Sequence, residues 1–101
     1  MAKLTRAKKL KVLKLLLEIP GGKLTTYGAL AKQTGLHPRT VGRILNQNKR
    51  SDLYPCYKVI MNDGKLGGYG GGLEKKIELI RRDGILIKDG KIGEEFIFRN
   101  F

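Results

Sequence analysis

One cysteine, one histidine and no tryptophan occur among the 101 residues of this chain. A lone thiol cannot close an internal disulfide, so packing, metal binding or reactivity must account for Cys56. With His37 as the only histidine, the sulfur and nitrogen ligands of a zinc site are missing, and no metal or other cofactor is expected. No apolar run approaches the roughly 20 residues of a membrane span. Met1-Ala2-Lys3 opens the chain without the apolar stretch of a secretory signal. The cysteine usage fits a reducing compartment, so a cytoplasmic, nucleoid-associated protein is expected, or a nuclear one in a eukaryote. Acid is scarce in one half only. Residues 1–50 hold 12 Lys/Arg against one acid, Glu18, whereas residues 51–101 hold 9 against 8. That asymmetry suits a polyanion partner whose phosphates are neutralised on binding. It also suits a solvated lysine-rich surface of the kind heat-adapted proteins carry.

Leu4, Ala7, Leu10, Leu13, Leu16 and Leu17 fall close to helical spacing. They predict a helix over 4–18 with these residues inward and Lys8, Lys9, Lys11 and Lys14 in water. Pro20-Gly21-Gly22 ends it. After the extended link Lys23-Leu24-Thr25, Thr26 is placed to cap a helix over about 27–34, with Leu30 and Ala31 inward and Gly35 as its stop. Pro38 suits the first turn of a third helix over about 38–47, with Val41, Ile44 and Leu45 inward. Two short helices joined by a tight glycine-containing turn form a helix-turn-helix, whose second helix enters a DNA groove. The outward stripe of that helix is Arg39, Arg43 and Asn46, residue types that contact phosphates and base edges. Gly42 either permits close approach to DNA or packs tightly on the preceding helix. His37, at the helix start, suits capping or a phosphate contact.

Beyond Asn48-Lys49-Arg50-Ser51-Asp52 the chain turns to β character. Tyr57-Lys58-Val59-Ile60 followed by Asn62-Asp63-Gly64 predicts a small hairpin or wing. Gly67-Gly68-Tyr69-Gly70-Gly71-Gly72 surrounds one tyrosine with five glycines. The central tyrosine favours a tight, shaped loop over a flexible linker, and the Gly-Lys-Ser/Thr ending of a phosphate loop is missing. A fourth helix is expected over about 73–83, with Leu73, Ile77 and Ile80 inward and Gly84 closing it. Residues 85–88 and 95–98 are expected to pair as a terminal hairpin turning near Asp89-Gly90. There is no internal repeat, so residues 1–101 read as a single α+β, mostly α domain, a winged helix-turn-helix with small β-hairpins.

A helix-turn-helix, a Pro-Cys motif and a Gly-Tyr-Gly-Gly loop, in that order, resemble the DNA-binding, active-site domain of O6-alkylguanine-DNA alkyltransferases. The resemblance rests on Ile19-Pro20-Gly21-Gly22-Lys23-Leu24-Thr25-Thr26-Tyr27-Gly28, Arg39-Thr40-Val41-Gly42, Pro55-Cys56-Tyr57-Lys58-Val59, and Gly64 through Leu73 with Lys76. It covers about residues 19–84; a lysine-rich helix precedes it, and no separate N-terminal domain of the kind common in the family is expected. The resemblance implies single-turnover repair, in which a damaged guanine is flipped from the duplex and a cysteine takes the alkyl group from its O6. On that basis Cys56 is the nucleophile and Tyr69 donates to O6. Arg39 fills the vacated stack and Tyr27 presses on the 3′ phosphate. Thr40, Gly42 and Arg43 belong to the DNA-facing helix. Asn48 ties the helix-turn-helix to the active-site turn, which Pro55, Lys58, Val59 and Gly71 shape. Gly70 stands where family members often carry a serine that also touches O6.

The family motif is usually Pro-Cys-His-Arg-Val, whereas Tyr57 and Lys58 stand here for the histidine and arginine, and Asp83 for the glutamate that orients the histidine. Histidine titrates near about 6.5 and is a good proton relay, while tyrosine, near about 10, is a poor base. Thiolate formation then leans on Lys58, on the field of the basic half, or on a Tyr57–Asp83 chain through water. Activity is expected, with a steeper acidic-side loss than in a histidine form. Two other readings stand beside this one. An alkyltransferase-like protein binds alkylated guanine without repairing it and recruits other factors. A plain winged-helix regulator would carry Cys56 as a packed small apolar residue. The expected partner is double-stranded DNA, bound by a monomer.

Overall fold

The computed structural model describes residues 5–50 and 52–101; Leu4 and Ser51 lie outside the described residues. Thr5 starts the first helix, its hydroxyl accepting from the Lys8 amide, and α1 runs Arg6–Leu16. Its buried stripe is Val12, Leu15 and Leu16, continued by Ile19 just past the helix. Leu10 and Leu13 are only half-buried, and Ala7 and Leu17 are exposed, contrary to the sequence expectation. Leucines repeating every third residue drift around a helix of 3.6 residues per turn. The core selects the i, i+3, i+4, i+7 stripe starting at Val12 instead.

Local signals set the next two helices. The Thr26 side chain accepts from the Ala29 amide at 3.1 Å to open α2, Tyr27–Thr34, and Gly35 closes it in the left-handed region. Pro38 sits in the first turn of α3, Pro38–Asn46, and His37 Nδ1 accepts from the Arg39 amide at 3.1 Å. The inner faces of α1, α2 and α3 meet in one apolar cluster that includes Leu16, Leu30, Val41, Ile44 and Val59.

Strand pairing departs from the expected hairpins. β1, Thr25–Thr26, pairs parallel with β2, Val59–Ile60. The turn after β2 does form: the Gly64 amide donates to Met61 O and the Met61 amide to Lys65 O, each at 2.9 Å. Lys65 then bridges antiparallel to Lys91, so the chain does not fold back on residues 57–60. Gly64 is buried at φ +91°, and a Cβ there would sit 2.9 Å from Ile92 O, so glycine is required for this approach. Val59 and Ile60 are both fully buried, which suits a strand covered on both faces.

At the carboxy end, β3 (Ile87–Lys88) and β4 (Lys91–Ile92) form an antiparallel hairpin. Asp89 and Gly90 both have positive φ, the signature of a tight two-residue turn. Its second strand is Lys91–Ile92 and not 95–98. The later segment returns to Leu24, whose amide donates to Phe96 O and whose carbonyl accepts from the Phe98 amide. A second cluster of Leu24, Ile60, Leu66, Ile80, Ile85 and Ile92 fills the space between this segment and α4, Leu73–Arg82. Val59 belongs to the first cluster and Ile60 to the second, so β2 marks the seam between them.

On α4, Ile80 is buried and Ile77 half-buried, but Leu73 is 52% exposed and does not face inward. The fully buried member of this helix's first two turns is Lys76. Its ammonium donates to the carbonyls of Val59 at 2.7 Å, Leu66 at 2.5 Å and Gly68 at 3.1 Å. Three donors therefore meet three acceptors. Burial lowers the Lys76 pKa from 10.5 to about 8, a shift the nearby Cys56 thiolate opposes. A depressed lysine has a definite sign in stability. Between about pH 8 and 10 the unfolded chain holds a proton that the folded chain has released, so folding strengthens as pH rises. Above that window the phenols of Tyr27 and Tyr57, held above their ordinary 10.0, reverse the trend. The urea midpoint is therefore expected to climb from pH 8 to 10 in the natural protein and to climb less in Lys76→Met. Equal slopes in the two proteins would show that Lys76 does not titrate there.

Candidate active site

The turn that carries the cysteine is fastened to the end of α3. Asn48 Nδ2 donates to Tyr54 O at 3.0 Å while its Oδ1 accepts from the Arg50 amide at 3.0 Å. Tyr54 O also accepts from the Cys56 amide at 2.8 Å. A 3₁₀ turn, Cys56–Lys58, follows, closed by the Lys58 amide on Pro55 O and leading into β2. Pro55 and Lys58 are half-buried in this turn, and Val59 is fully buried beyond it.

Cys56 and Tyr57 lie on opposite sides of the seam. Cys56 is half-buried against the cluster of α1–α3, and Tyr57 packs against the second cluster. A cavity of about 240 Å³ opens at Cys56. Leu45, Asn48 and Lys49 line it from the end of α3 and the loop beyond, and Tyr69, Gly70 and Gly71 line it from the glycine loop. A Cβ on Gly71 would sit 2.8 Å from Tyr69 Cε2, so a side chain there would displace the ring. The loop is anchored rather than free: the Gly72 amide donates to Tyr69 O, and Lys76 holds Gly68 O.

Tyr57 Oη donates directly to Asp83 Oδ2 at 2.6 Å, with no room in that bond for an intervening water. Burial first, then the Asp83 hydrogen bond and charge, push the Tyr57 phenol well above its ordinary range. Its proton is thus held on oxygen near neutral pH. Tyr27, at the first position of α2, is half-buried beside the same cluster as Cys56. Burial raises its phenol, with a smaller push from the Cys56 thiolate charge. Lys76 is the buried cation whose field reaches Cys56.

On α3, Arg39, Arg43 and Asn46 are exposed, with Thr40 and Gly42 half-buried between them. A Cβ on Gly42 would meet nothing within 4 Å, so this glycine serves no tight packing and simply leaves the helix surface low. Two contributors go beyond the roles assigned from the sequence. Lys76, part of the resemblance but given no role there, sits four residues before buried Ile80 and so shares its face. Asn62 reads as a turn residue, yet its Oδ1 accepts from the Gly28 amide at 2.9 Å and fastens the loop to the start of α2.

The model of the family described as 6-O-methylguanine DNA methyltransferase, DNA binding domain, matches residues 7–85. The bifunctional methyltransferase/endonuclease of Picrophilus torridus is 47% identical over 90 residues, covering 86% of this chain and 30% of that protein. The methylated-DNA–protein-cysteine methyltransferase of Pyrobaculum aerophilum is 42% identical over 79 residues, covering 78% and 53%. The chain thus spans about half or less of the length of these two relatives. The O6-methylguanine-DNA methyltransferase of the hyperthermophilic archaeon Pyrococcus kodakaraensis superposes with a TM-score of 0.72 at 35% identity, over 81% of this chain and 48% of that one. S. pombe Atl1, solved in complex with damaged DNA containing O6-carboxymethylguanine, superposes with a TM-score of 0.85 over 97% of this chain and 100% of that one; at 22% identity this is likeness of fold. No helix among the described residues is long and apolar enough to cross a membrane. With the match extending over most of its residues, this chain belongs to the 6-O-methylguanine DNA methyltransferase family, of which it carries the DNA-binding domain.

Proposed function

We propose that this protein repairs O6-alkylated guanine in double-stranded DNA, with Cys56 accepting the alkyl group in a single turnover. The observation that carries this reading is the cavity at Cys56, which the only thiol of the chain shares with Tyr69. The alkyl carbon lies inside the base stack, so the guanine must first be extruded, at a cost of a few kcal/mol. Arg39, exposed on α3, takes the vacated space, where a planar cation stacks on neighbouring bases. Arg43, Thr40 and the low surface at Gly42 let the helix approach the groove, and Tyr27 presses on the backbone. The Cys56 thiolate then attacks the alkyl carbon. The S–C bond forms as the C–O6 bond breaks, and the electron pair of that bond passes to the guanine, steadied by the Tyr69 hydroxyl as hydrogen-bond donor.

Tyr57 and Asp83 act as a structural pair in this scheme, because the phenol keeps its proton. The cations beside the chemistry are Lys49, which lines the cavity, Lys76, whose field reaches Cys56, and Lys58, two residues along the same turn. One thiol repairs one lesion, so the monomer suffices. A second reading, a binder of alkylated DNA that transfers nothing, draws support from the fold likeness to S. pombe Atl1.

Mass spectrometry after incubation with a duplex bearing one O6-methylguanine separates the two. The expected result is one methyl group on the Cys56 peptide, lost in Cys56→Ala. Unmodified protein that still prefers the lesion duplex would establish the binder. The role of Tyr57 has its own test. Removing a working general base costs roughly 100-fold or more in rate. Tyr57→Phe is therefore expected to slow transfer by less than about 10-fold, and a loss approaching the general-base figure would return the tyrosine to the proton path.

A further inference from the structure

We propose that the carboxy-terminal segment adds a DNA-phosphate site to the domain, a basic cleft in which Lys32, Asn62, Arg99 and Asn100 hold the strand that passes Tyr27. The inference rests on the DNA-binding reading above and extends it to residues 86–101, which lie beyond the matched span of 7–85.

The segment reaches the start of α2 because it pairs with β1 and its flank. Leu24 exchanges backbone hydrogen bonds with Phe96 and Phe98, and Thr25 Oγ1 donates to Phe98 O at 2.7 Å. Phe98 packs edge-on against Phe101 at 5.1 Å, and Phe101 in turn joins the first apolar cluster. Arg99 and Asn100 are thus held between two anchored aromatic residues. They face a cleft of about 440 Å³ whose other walls come from the first turns of α2 and from Asn62.

The cleft presents donors and no carboxylate lines it. Asn62 Oδ1 takes the Gly28 amide, and on this exposed residue the NH₂ group remains as a donor. A Cβ on Gly28 would lie 2.6 Å from that oxygen, so this arrangement requires glycine at 28. Among the described residues Lys32 has no ion pair and no side-chain hydrogen bond, although it stands one turn from Gly28. Arg99 is oriented by Glu94, which accepts from both terminal nitrogens while the arginine side chain stays 41% exposed. Gly28 directly follows Tyr27, so the cleft continues the line of backbone contact along α2. Two cations and two amides suit phosphate, which positions a duplex without reading its sequence.

The test compares the salt dependence of duplex binding in the natural protein and in Lys32→Gln/Arg99→Gln, from about 50 to about 200 mM salt. Each neutralised phosphate adds about 0.9 to the slope of log affinity against log salt, so the double variant is expected to lose between about 1 and about 2. Its preference for lesion over plain duplex should stay unchanged. Arg99→Lys should keep most of the slope, and Glu94→Gln, which releases Arg99, should tighten binding. A double variant with the natural slope overturns the proposal while leaving DNA binding intact. Displacement of only the variant-sensitive part by inorganic phosphate at constant ionic strength would make this a small-anion site and overturn it too. A natural protein that binds no duplex at any salt removes the DNA reading itself, and this site with it.

Discussion

The ammonium of Lys76 is the constraint around which the active half is arranged. A buried charge is costly unless its donors are all satisfied. Here three carbonyls satisfy it, and each comes from a different stretch of chain: Val59 in β2, Leu66 after the turn, and Gly68 in the glycine loop. Val59 follows the cysteine turn and Gly68 directly precedes Tyr69. One side chain from α4 therefore ties together the two segments that bring Cys56 and Tyr69 to the same cavity. Removing the side-chain nitrogen would leave three buried acceptors unpaired, each with its own desolvation cost of about 1–3 kcal/mol. The same cation lies in the field of Cys56.

The seam at β2 explains how this protein departs from the Pro-Cys-His-Arg-Val pattern it resembles. Adjacent residues in the turn and strand send their side chains into different clusters: Cys56 and Val59 to the helix-turn-helix side, Tyr57 and Ile60 to the other. A residue following the cysteine is thereby committed to the second cluster, where Asp83 at the end of α4 meets it. A tyrosine satisfies that position as a packing residue with a polar tip. What it cannot reproduce is a group that gives and takes protons near neutrality.

Much of the helix-turn-helix was legible because its signals are local. Thr26, Gly35, His37 and Pro38 each act within a few residues, and all four occupy the cap or first-turn positions that their chemistry favours. The first helix was legible in extent but not in phase, since leucine at nearly every third position offers several apolar stripes and only the facing helices decide among them. Strand partners were illegible for a different reason. β1 and β2 are joined across more than thirty residues, and no turn residue encodes a parallel pairing of that span. The bridging role of Lys76 was illegible for the same cause, its acceptors lying 8, 10 and 17 residues away. Among the site residues, Cys56, Tyr69 and Asn48 gather at one cavity, whereas Tyr57 and Asp83 form a separate pair behind it.

The charge of the amino-terminal half also divides in the folded chain. Part of it works internally. Lys11 Nζ donates to Thr34 O at the carboxy end of α2, where a cation complements the helix dipole. Lys23 Nζ donates to Glu95 O and fastens the carboxy-terminal segment to the link before β1. A net charge of +12 therefore overstates what is available to a polyanion. Arg39, Arg43 and Lys32 differ from these lysines: among the described residues none of the three has a side-chain hydrogen bond or an ion pair, and all are exposed. Long cations left unpaired on a helix-turn-helix lose side-chain entropy only when something binds them, so their freedom in the unbound protein lowers affinity for any single phosphate. Arg99, already oriented by Glu94, has lost part of that freedom in advance. A cation held in place by its own carboxylate partner gives up some charge and gains direction, which suits a contact that must set the register of a strand more than the strength with which it is held.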